Sequence, residues 1–238
     1  MKRIFTYYLL LFSLSVSFSV AQEKVSPVTC GADLVSGYIW RGTPFNMAPN
    51  FQPWIDLTYK GFSLGAWGSI NFTGDFHEPD LYLKYSTSKF SVGLNEYHTD
   101  GVDYFNFKKG ETKHTLDFFA AYTGKVQFLA SVLVLGSDHN IESINLDSTL
   151  NFSKDQNYST YLEVSYPMEF TGFKLVPTLG IILQESYFYG TEDWGIINAS
   201  IKGTKEIKIT DSFSLPVSMS VIVNPLNERV FYVLSISL

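Results

Sequence analysis

The chain has 238 residues, with 17 Lys and Arg against 23 Asp and Glu, and a formal net charge of −6. This acidic balance excludes a nucleic-acid-binding protein, which needs a basic surface, and the single cysteine excludes an intrachain disulfide. Charged residues make up only 17% of the chain and aromatic residues 16%, whereas a soluble domain carries about 25% charged residues.

The first 21 residues have the pattern of a secretory signal peptide. Lys2 and Arg3 precede an apolar run from Ile4 to Val20, and Ser19 and Ala21 are small residues at the two positions that a signal peptidase inspects. We therefore predict a signal peptide over 1–21 and one domain over 22–238; the alternative is an uncleaved membrane anchor. No later apolar run approaches 18 residues, so the sequence predicts no transmembrane helix.

Beyond the signal peptide, the dominant hydrophobic period is two rather than 3.6. The segment from Asp80 to Tyr85, for example, reads Asp-Leu-Tyr-Leu-Lys-Tyr, with one apolar face and one polar face as in a strand. Most such segments have about ten residues, the length that crosses a bilayer at a tilt. Twelve strands are predicted in this way, at 30–41, 51–60, 62–71, 80–87, 89–98, 113–123, 125–136, 157–166, 173–184, 194–203, 212–223 and 229–238.

The predicted connections alternate between short turns such as Lys60-Gly61 and longer loops such as 99–112 and 137–156. Outer-membrane barrels have short periplasmic turns and longer outer loops, and an even number of strands leaves both termini in the periplasm. The sequence therefore predicts an all-β fold, an up-and-down antiparallel transmembrane β-barrel of about 12 strands, in the bacterial outer membrane. Pro177 and Pro216 fall inside predicted strands, and we expect β-bulges there because proline cannot donate to a ladder.

The competing fold is a soluble secreted barrel, such as a lipocalin-like binder, whose strands also alternate but point their apolar side inward. Two features favour the membrane barrel. The chain ends in an alternating apolar strand over 229–238, and aromatic residues recur near strand ends, where interfacial girdles lie. The predicted interfacial aromatics are Tyr38, Trp40, Tyr59, Tyr85, Tyr122, Tyr166 and Trp194.

The N-terminal strands also carry a pattern that resembles a known family, the TorF-type porins, a conserved bacterial outer-membrane family of unknown function. The resemblance covers about the first 75 residues after the predicted signal peptide and implies an outer-membrane barrel of channel type without naming a substrate. The loop "TPFNMAPN" departs from the polar loop common in that family. The residues that carry the resemblance are Ser36, Tyr38, Arg41, Gly42, Pro49, Gln52, Gly61, Phe62, Gly65, Trp67, Ser69, Glu78, Asp80, Tyr82 and Tyr97.

If the apolar faces contact lipid, eight charged residues face the lumen, four acidic and four basic. They form either ion pairs that fill and stiffen a narrow barrel or a selectivity lining for a small solute. Arg41 is the leading candidate, because Gly42 allows a tight turn and a guanidinium can hold a carboxylate through two hydrogen bonds. The predicted lumen residues are Asp33, Arg41, Asp56, Lys84, Asp117, Glu163, Lys174 and Lys202.

No catalytic, cofactor or metal site is predicted. His77, His98, His114 and His139 lie in or beside predicted outer loops and form no metal-binding motif, so solvated loops are the preferred interpretation. An outer-membrane lipid enzyme would need a Ser–His pair, and the sequence has no nucleophile elbow. The favoured function is a narrow channel for small solutes. The alternatives are a non-conducting structural or receptor barrel that acts through its outer loops, or the soluble binder. The expected partners are outer-membrane lipid and a small solute, and the oligomeric state stays open.

Overall fold

The computed structural model describes residues 26–99, 103–108, 111–145 and 150–238. The predicted signal peptide lies outside the described residues. Within these ranges every regular element is a β-strand, and no helix is long and apolar enough to cross a membrane.

Twelve strands form a closed antiparallel barrel. Each pairs with the next along the chain, β1 pairs with β17, and β12 closes the remaining gap by pairing with both β9 and β14. The barrel strands are β1 (Val28–Val35), β4 (Asn50–Tyr59), β5 (Phe62–Asn71), β6 (His77–Ser86), β7 (Phe90–His98), β8 (His114–Thr123), β9 (Gln127–Gly136), β12 (Thr160–Ser165), β14 (Phe173–Ile182), β15 (Gly195–Lys208), β16 (Ser214–Asn224) and β17 (Arg229–Ser237). The predicted all-β up-and-down barrel of about 12 strands is confirmed.

Five short strands lie outside this count. Two form a hairpin, β2 (Tyr38–Trp40) and β3 (Thr43–Asn46), and two pair in a loop, β10 (Ile141–Ile144) and β11 (Leu150–Phe152). The fifth, β13 (Met168–Phe170), extends the sheet beside β14. The prediction of one strand over 30–41 is wrong at its C-terminal part, because the chain leaves the barrel wall after Val35 and forms the β2–β3 hairpin.

As predicted, the connections alternate in length, apart from the last one, 225–228, which is brief. One end of the barrel, here the short-turn end, carries both described termini and tight turns such as 60–61, 87–89 and 124–126. The other end, here the long-loop end, carries the connections 36–49, 99–113, 137–159 and 183–194. The functional side chains are therefore sought where the long loops meet the barrel.

The barrel is apolar outside, whereas its interior carries polar side chains together with a cluster of buried apolar and aromatic side chains around Leu133. Leu83, Leu94 and Phe118 are cross-strand neighbours on the outer face of β6, β7 and β8, and each exposes at least 40% of its surface. The intervening positions face inward, and Asp117 and Ser131 there are buried. A soluble barrel would have the opposite arrangement.

Inward-facing rings lie flat on glycines of neighbouring strands. A Cβ added to Gly65 would lie 2.2 Å from Cζ of Tyr82, and one added to Gly180 would lie 2.0 Å from Oη of Tyr161. The absent side chains make room for the rings, so glycine is required at these positions by packing rather than by backbone conformation.

The bulges expected at Pro177 and Pro216 are wrong. Pro177 pairs in regular register with Ile201, and Pro216 pairs with Glu206. Pro177 lies in the gap between the β12 and β13 pairings of β14, where its carbonyl accepts from the Tyr166 amide at 3.1 Å, and Pro216 lies just before the β16–β17 ladder begins at Val217. The missing N–H therefore removes at most one bond at the end of a ladder.

Candidate functional site

The β2–β3 hairpin, here the lumen hairpin (residues 38–46), packs inside the barrel at the long-loop end. Tyr38 contacts the inward-facing Trp67 ring at 5.4 Å, and Trp40 contacts Tyr97 at 5.3 Å. The hydroxyl of Tyr38 donates to Oε1 of Glu78 across 3.4 Å. The hairpin therefore contacts the wall through β5, β6 and β7.

Its two-residue turn is Arg41-Gly42, with φ of 50° and 80°. Positive φ at both central residues is the type I′ geometry that suits a two-residue hairpin. A Cβ on Gly42 would lie 1.7 Å from the carbonyl oxygen of Ile197, and the Gly42 carbonyl accepts a hydrogen bond from Asn224 at 3.0 Å. Only glycine fits here, because both the backbone conformation and the contact with β15 exclude a side chain.

The turn delivers the Arg41 guanidinium to the opposite wall. Nη1 donates to Oγ of Ser131 and to Oη of Tyr189, each at 2.7 Å, and Nη2 donates to Oδ2 of Asp117 at 3.0 Å. The group also lies between two rings, with Cζ 4.3 Å from the centroid of Trp40 and 4.8 Å from that of Tyr161. We refer to Asp117, Ser131, Tyr161 and Tyr189 with Arg41 as the arginine site.

The arginine site is dry. The Arg41 side chain is 9% exposed and that of Asp117 is fully buried. Burial lowers the pKa of Arg41, but Tyr189, Tyr97 and Asp117 raise it by more, so the guanidinium stays charged. Burial raises the pKa of Tyr189 to about 12, so its hydroxyl is neutral at physiological pH. The Arg41–Asp117 ion pair can hold the lumen hairpin in place, and it can present a charged constriction inside the barrel.

The loop that supplies Tyr189 is fixed to its neighbours. Ser186 and Thr191 bond to each other through their backbones at 2.9 Å, and the Tyr189 amide donates to Oγ of Ser186. Ser186 contacts Ser159, whose hydroxyl donates to the buried Asp138 at 2.6 Å. The long loops therefore brace Tyr189 against Arg41.

The other predicted lumen residues lie on inward-facing positions but do not gather at one point. Arg41 and Asp117 are the two of the eight that the structure brings into an ion pair with each other. Glu163 accepts from the Tyr161 hydroxyl at 2.5 Å and from Asn198, while Lys174 approaches Glu169 at 4.0 Å near the short-turn end. Asp33 accepts from Ser237, the Lys84 ammonium lies 5.4 Å from the Tyr82 ring, and Asp56 and Lys202 complete the set on β4 and β15.

Sequence reasoning missed two inward carboxylates, Glu78 and Asp80, which are buried on β6. Asp80 begins the predicted strand 80–87 in the same inward phase as Lys84, whereas Glu78 falls in the predicted loop before it. Sequence reasoning also missed Ser131 and Tyr189. Ser131 shares the inward phase of β9, whereas the placement of Tyr189 depends on how a loop folds and has no signal in the sequence.

Two of the predicted interfacial aromatics are wrong. Tyr38 and Trp40 lie inside the barrel, because the hairpin folds inward instead of continuing the first strand. The other five, Tyr59, Tyr85, Tyr122, Tyr166 and Trp194, lie at or beside strand ends. At the short-turn end several rings touch across strands, with Phe62–Tyr85 at 4.7 Å and Phe90–Tyr122 at 5.1 Å.

The expectation of solvated histidines is wrong for His98 and His114, which are buried at the ends of β7 and β8. His114 contacts Oε1 of Glu96 through Nδ1 at 2.5 Å and the Tyr104 carbonyl through Nε2 at 2.7 Å. This pairing holds the loop segment 103–108 against the outer face of the barrel. Among the described residues, no group of three or more His, Cys, Asp or Glu could hold a metal ion.

No family model matches the sequence, and no curated protein matches it. Among solved structures, the chain is similar to the NanC porin, with 9% identity and a TM-score of 0.48 over 87% of this chain and 97% of that chain. It is also similar to OccK1 (OpdK) of Pseudomonas aeruginosa, with 13% identity and a TM-score of 0.37 over 91% of this chain. In that comparison the chain covers 66% of the length of OccK1.

Proposed function

We propose that this protein is a bacterial outer-membrane barrel that forms a narrow channel for small solutes, constricted by the lumen hairpin. The observation that carries the proposal is the distribution of polarity: apolar side chains are exposed around the outside of a closed barrel, and its interior holds charged and polar groups beside one apolar cluster. That arrangement is stable where lipid surrounds the barrel and water enters it. The resemblance to the TorF-type porins agrees with it.

The lumen supports a constriction rather than a solid core. The long-loop half holds the dry arginine site, whereas in the short-turn half the inward-facing Lys202 is exposed and Asp56 and Lys84 are part-exposed. Charged side chains inside a barrel keep exposed surface only where water reaches them. The short-turn half therefore forms a wet vestibule that leads to the hairpin.

The second candidate is a non-conducting barrel that acts through its long loops. The observation in its favour is the buried Arg41–Asp117 pair, which binds the lumen hairpin to the wall. The soluble binder is disfavoured, because its outer face would have to carry the polar side chains.

Planar-bilayer conductance separates the two membrane candidates. We expect wild-type protein to give a small current and Arg41→Ala to give one several-fold larger, because the hairpin loses its contacts with Asp117, Ser131 and Tyr189. The matched control is Arg229→Ala, which removes an exposed arginine at the start of β17 and should leave the current unchanged. If neither wild-type nor Arg41→Ala protein conducts over a range of salt concentrations, the barrel is not a channel.

If lipid surrounds the barrel, an arginine introduced on its outer face should reduce the free energy of unfolding, and the loss should be larger in the middle of the bilayer than near its surface. Leu94→Arg places a cation in the middle of β7 between Leu83 and Phe118, and should destabilise the folded barrel by about 2–4 kcal/mol. Tyr59→Arg lies at the short-turn rim and should cost about 0–1 kcal/mol. Urea unfolding in liposomes measures both. Equal, small costs would indicate that water rather than lipid surrounds the barrel.

A further inference from the structure

We propose that the barrel wall around Arg41 is a binding site for guanidinium-bearing cations, and that Arg41 occupies this site as an intramolecular ligand. A solute with a guanidinium group then competes with Arg41 for the site and releases the lumen hairpin. The effect of hairpin release on conduction rests on the proposed channel function, but the binding site itself does not.

The first support is the origin of the groups that surround the guanidinium. Asp117 comes from β8, Ser131 from β9, Tyr161 from β12 and Tyr189 from the loop 183–194. All four belong to the barrel and its loops, and the hairpin contributes only Trp40 beside Arg41 itself. The wall therefore keeps a carboxylate, two hydroxyls and a ring in place when the hairpin leaves.

The second support is the chemistry of these groups. A planar, delocalised cation is recognised by a carboxylate in its plane and by an aromatic face above it. The site supplies the buried Asp117 carboxylate and the Tyr161 ring, and Tyr189 stacks against Tyr161 at 5.9 Å with an interplanar angle of 12°. An anion would meet the Asp117 charge instead, so the site selects for cations.

The third support is an unused acceptor. Arg41 and the Tyr97 hydroxyl both bind Oδ2 of Asp117, at 3.0 and 2.9 Å. Among the described residues, the buried Oδ1 has no hydrogen-bond partner. Arg41 thus holds the carboxylate through one oxygen, because its position is fixed by the hairpin. A free guanidinium can turn to bind both oxygens in the stronger two-bond geometry, which makes competition with the tethered group feasible.

The experiment compares L-arginine with L-citrulline, its neutral urea isostere, by calorimetry in detergent and by channel block. With Arg41→Ala protein we expect L-arginine to bind at least tenfold more tightly than to wild type, because the site is vacated. Citrulline should bind at least tenfold more weakly than arginine. Asp117→Asn in the Arg41→Ala background should remove the difference. Arg41→Gly, which suits the left-handed backbone, is the second variant if Arg41→Ala folds poorly.

The outcomes distinguish this proposal from the channel. If both vacated variants fold, shown by heat-modifiable gel mobility, but bind arginine and citrulline equally, the guanidinium site does not exist. If Arg41→Ala conducts and arginine does not block it, the channel stands and the site is refuted. If arginine binds to a barrel that carries no current, the site stands and the channel is refuted.

Discussion

Replacing Gly42 with alanine should unseat the lumen hairpin and enlarge the conductance of the barrel. The new Cβ would lie 1.7 Å from the Ile197 carbonyl oxygen, which belongs to the backbone of β15 and cannot move aside cheaply. The residue also adopts φ of 80°, where alanine is strained. Overpacking and strain together should destabilise the seated hairpin by about 2–5 kcal/mol. Single-channel recording measures the effect, and we expect a current at least as large as that of Arg41→Ala.

Gly172→Ala is the matched control for this prediction. Gly172 has φ of 85°, close to that of Gly42, but an added Cβ there would meet nothing within 4 Å. The Gly172→Ala variant should therefore be destabilised only by backbone strain, by about 1–2 kcal/mol, and its current should equal that of the wild type. If both glycine variants conduct alike, the close contact of Gly42 with β15 does not set the constriction.

The second large effect is expected for Asp117→Ala. This change leaves the Arg41 guanidinium in a dry site without its carboxylate, and breaking one partner of a buried pair costs about 3–5 kcal/mol. The double variant Arg41→Ala/Asp117→Ala should lose less than the sum of the two single changes, because neither charge is then left alone. Urea unfolding of the folded barrel in liposomes measures each free energy.

Lys174→Ala provides the comparison for a solvent-screened pair. Lys174 and Glu169 approach to 4.0 Å, but their side chains are 47% and 81% exposed, so the loss should be within about 0.5 kcal/mol. If the free-energy costs of Arg41→Ala and Asp117→Ala add up to the cost of the double variant, the two charges are not energetically coupled.

The barrel strands could be predicted because a period-two pattern and strand-length segments are local properties of the chain. The apolar phase fixes the outer face of each strand, and Asp117, Glu163 and Lys202 follow from it as inward-facing residues. The same logic fails at Val35. The sequence continues to alternate through Tyr38 and Trp40. Alternation alone does not show that the chain leaves the barrel wall here and forms the separate β2–β3 hairpin.

The arginine site could be predicted only in part. Arg41 and Asp117 were both placed in the lumen, and Gly42 indicated a tight turn. Their meeting could not be predicted, because it depends on the direction in which the hairpin folds and on the loop that carries Tyr189. Those are tertiary properties, set by packing between segments far apart in the chain, for which a single sequence contains no periodic signal.

The distances along the chain between Arg41 and its partners impose an order on folding. Arg41 is separated by 76 residues from Asp117, by 90 from Ser131 and by 148 from Tyr189. Arg41 is therefore among the first of these residues to be made, while its set of partners is completed only when more than half of the remaining chain has been synthesised. Since contacts of such long range are slow to form, we expect the arginine site to assemble only after the loop that carries Tyr189 has been made. Closure of the barrel between Asp33 and Ser237 spans 204 residues and needs still more of the chain.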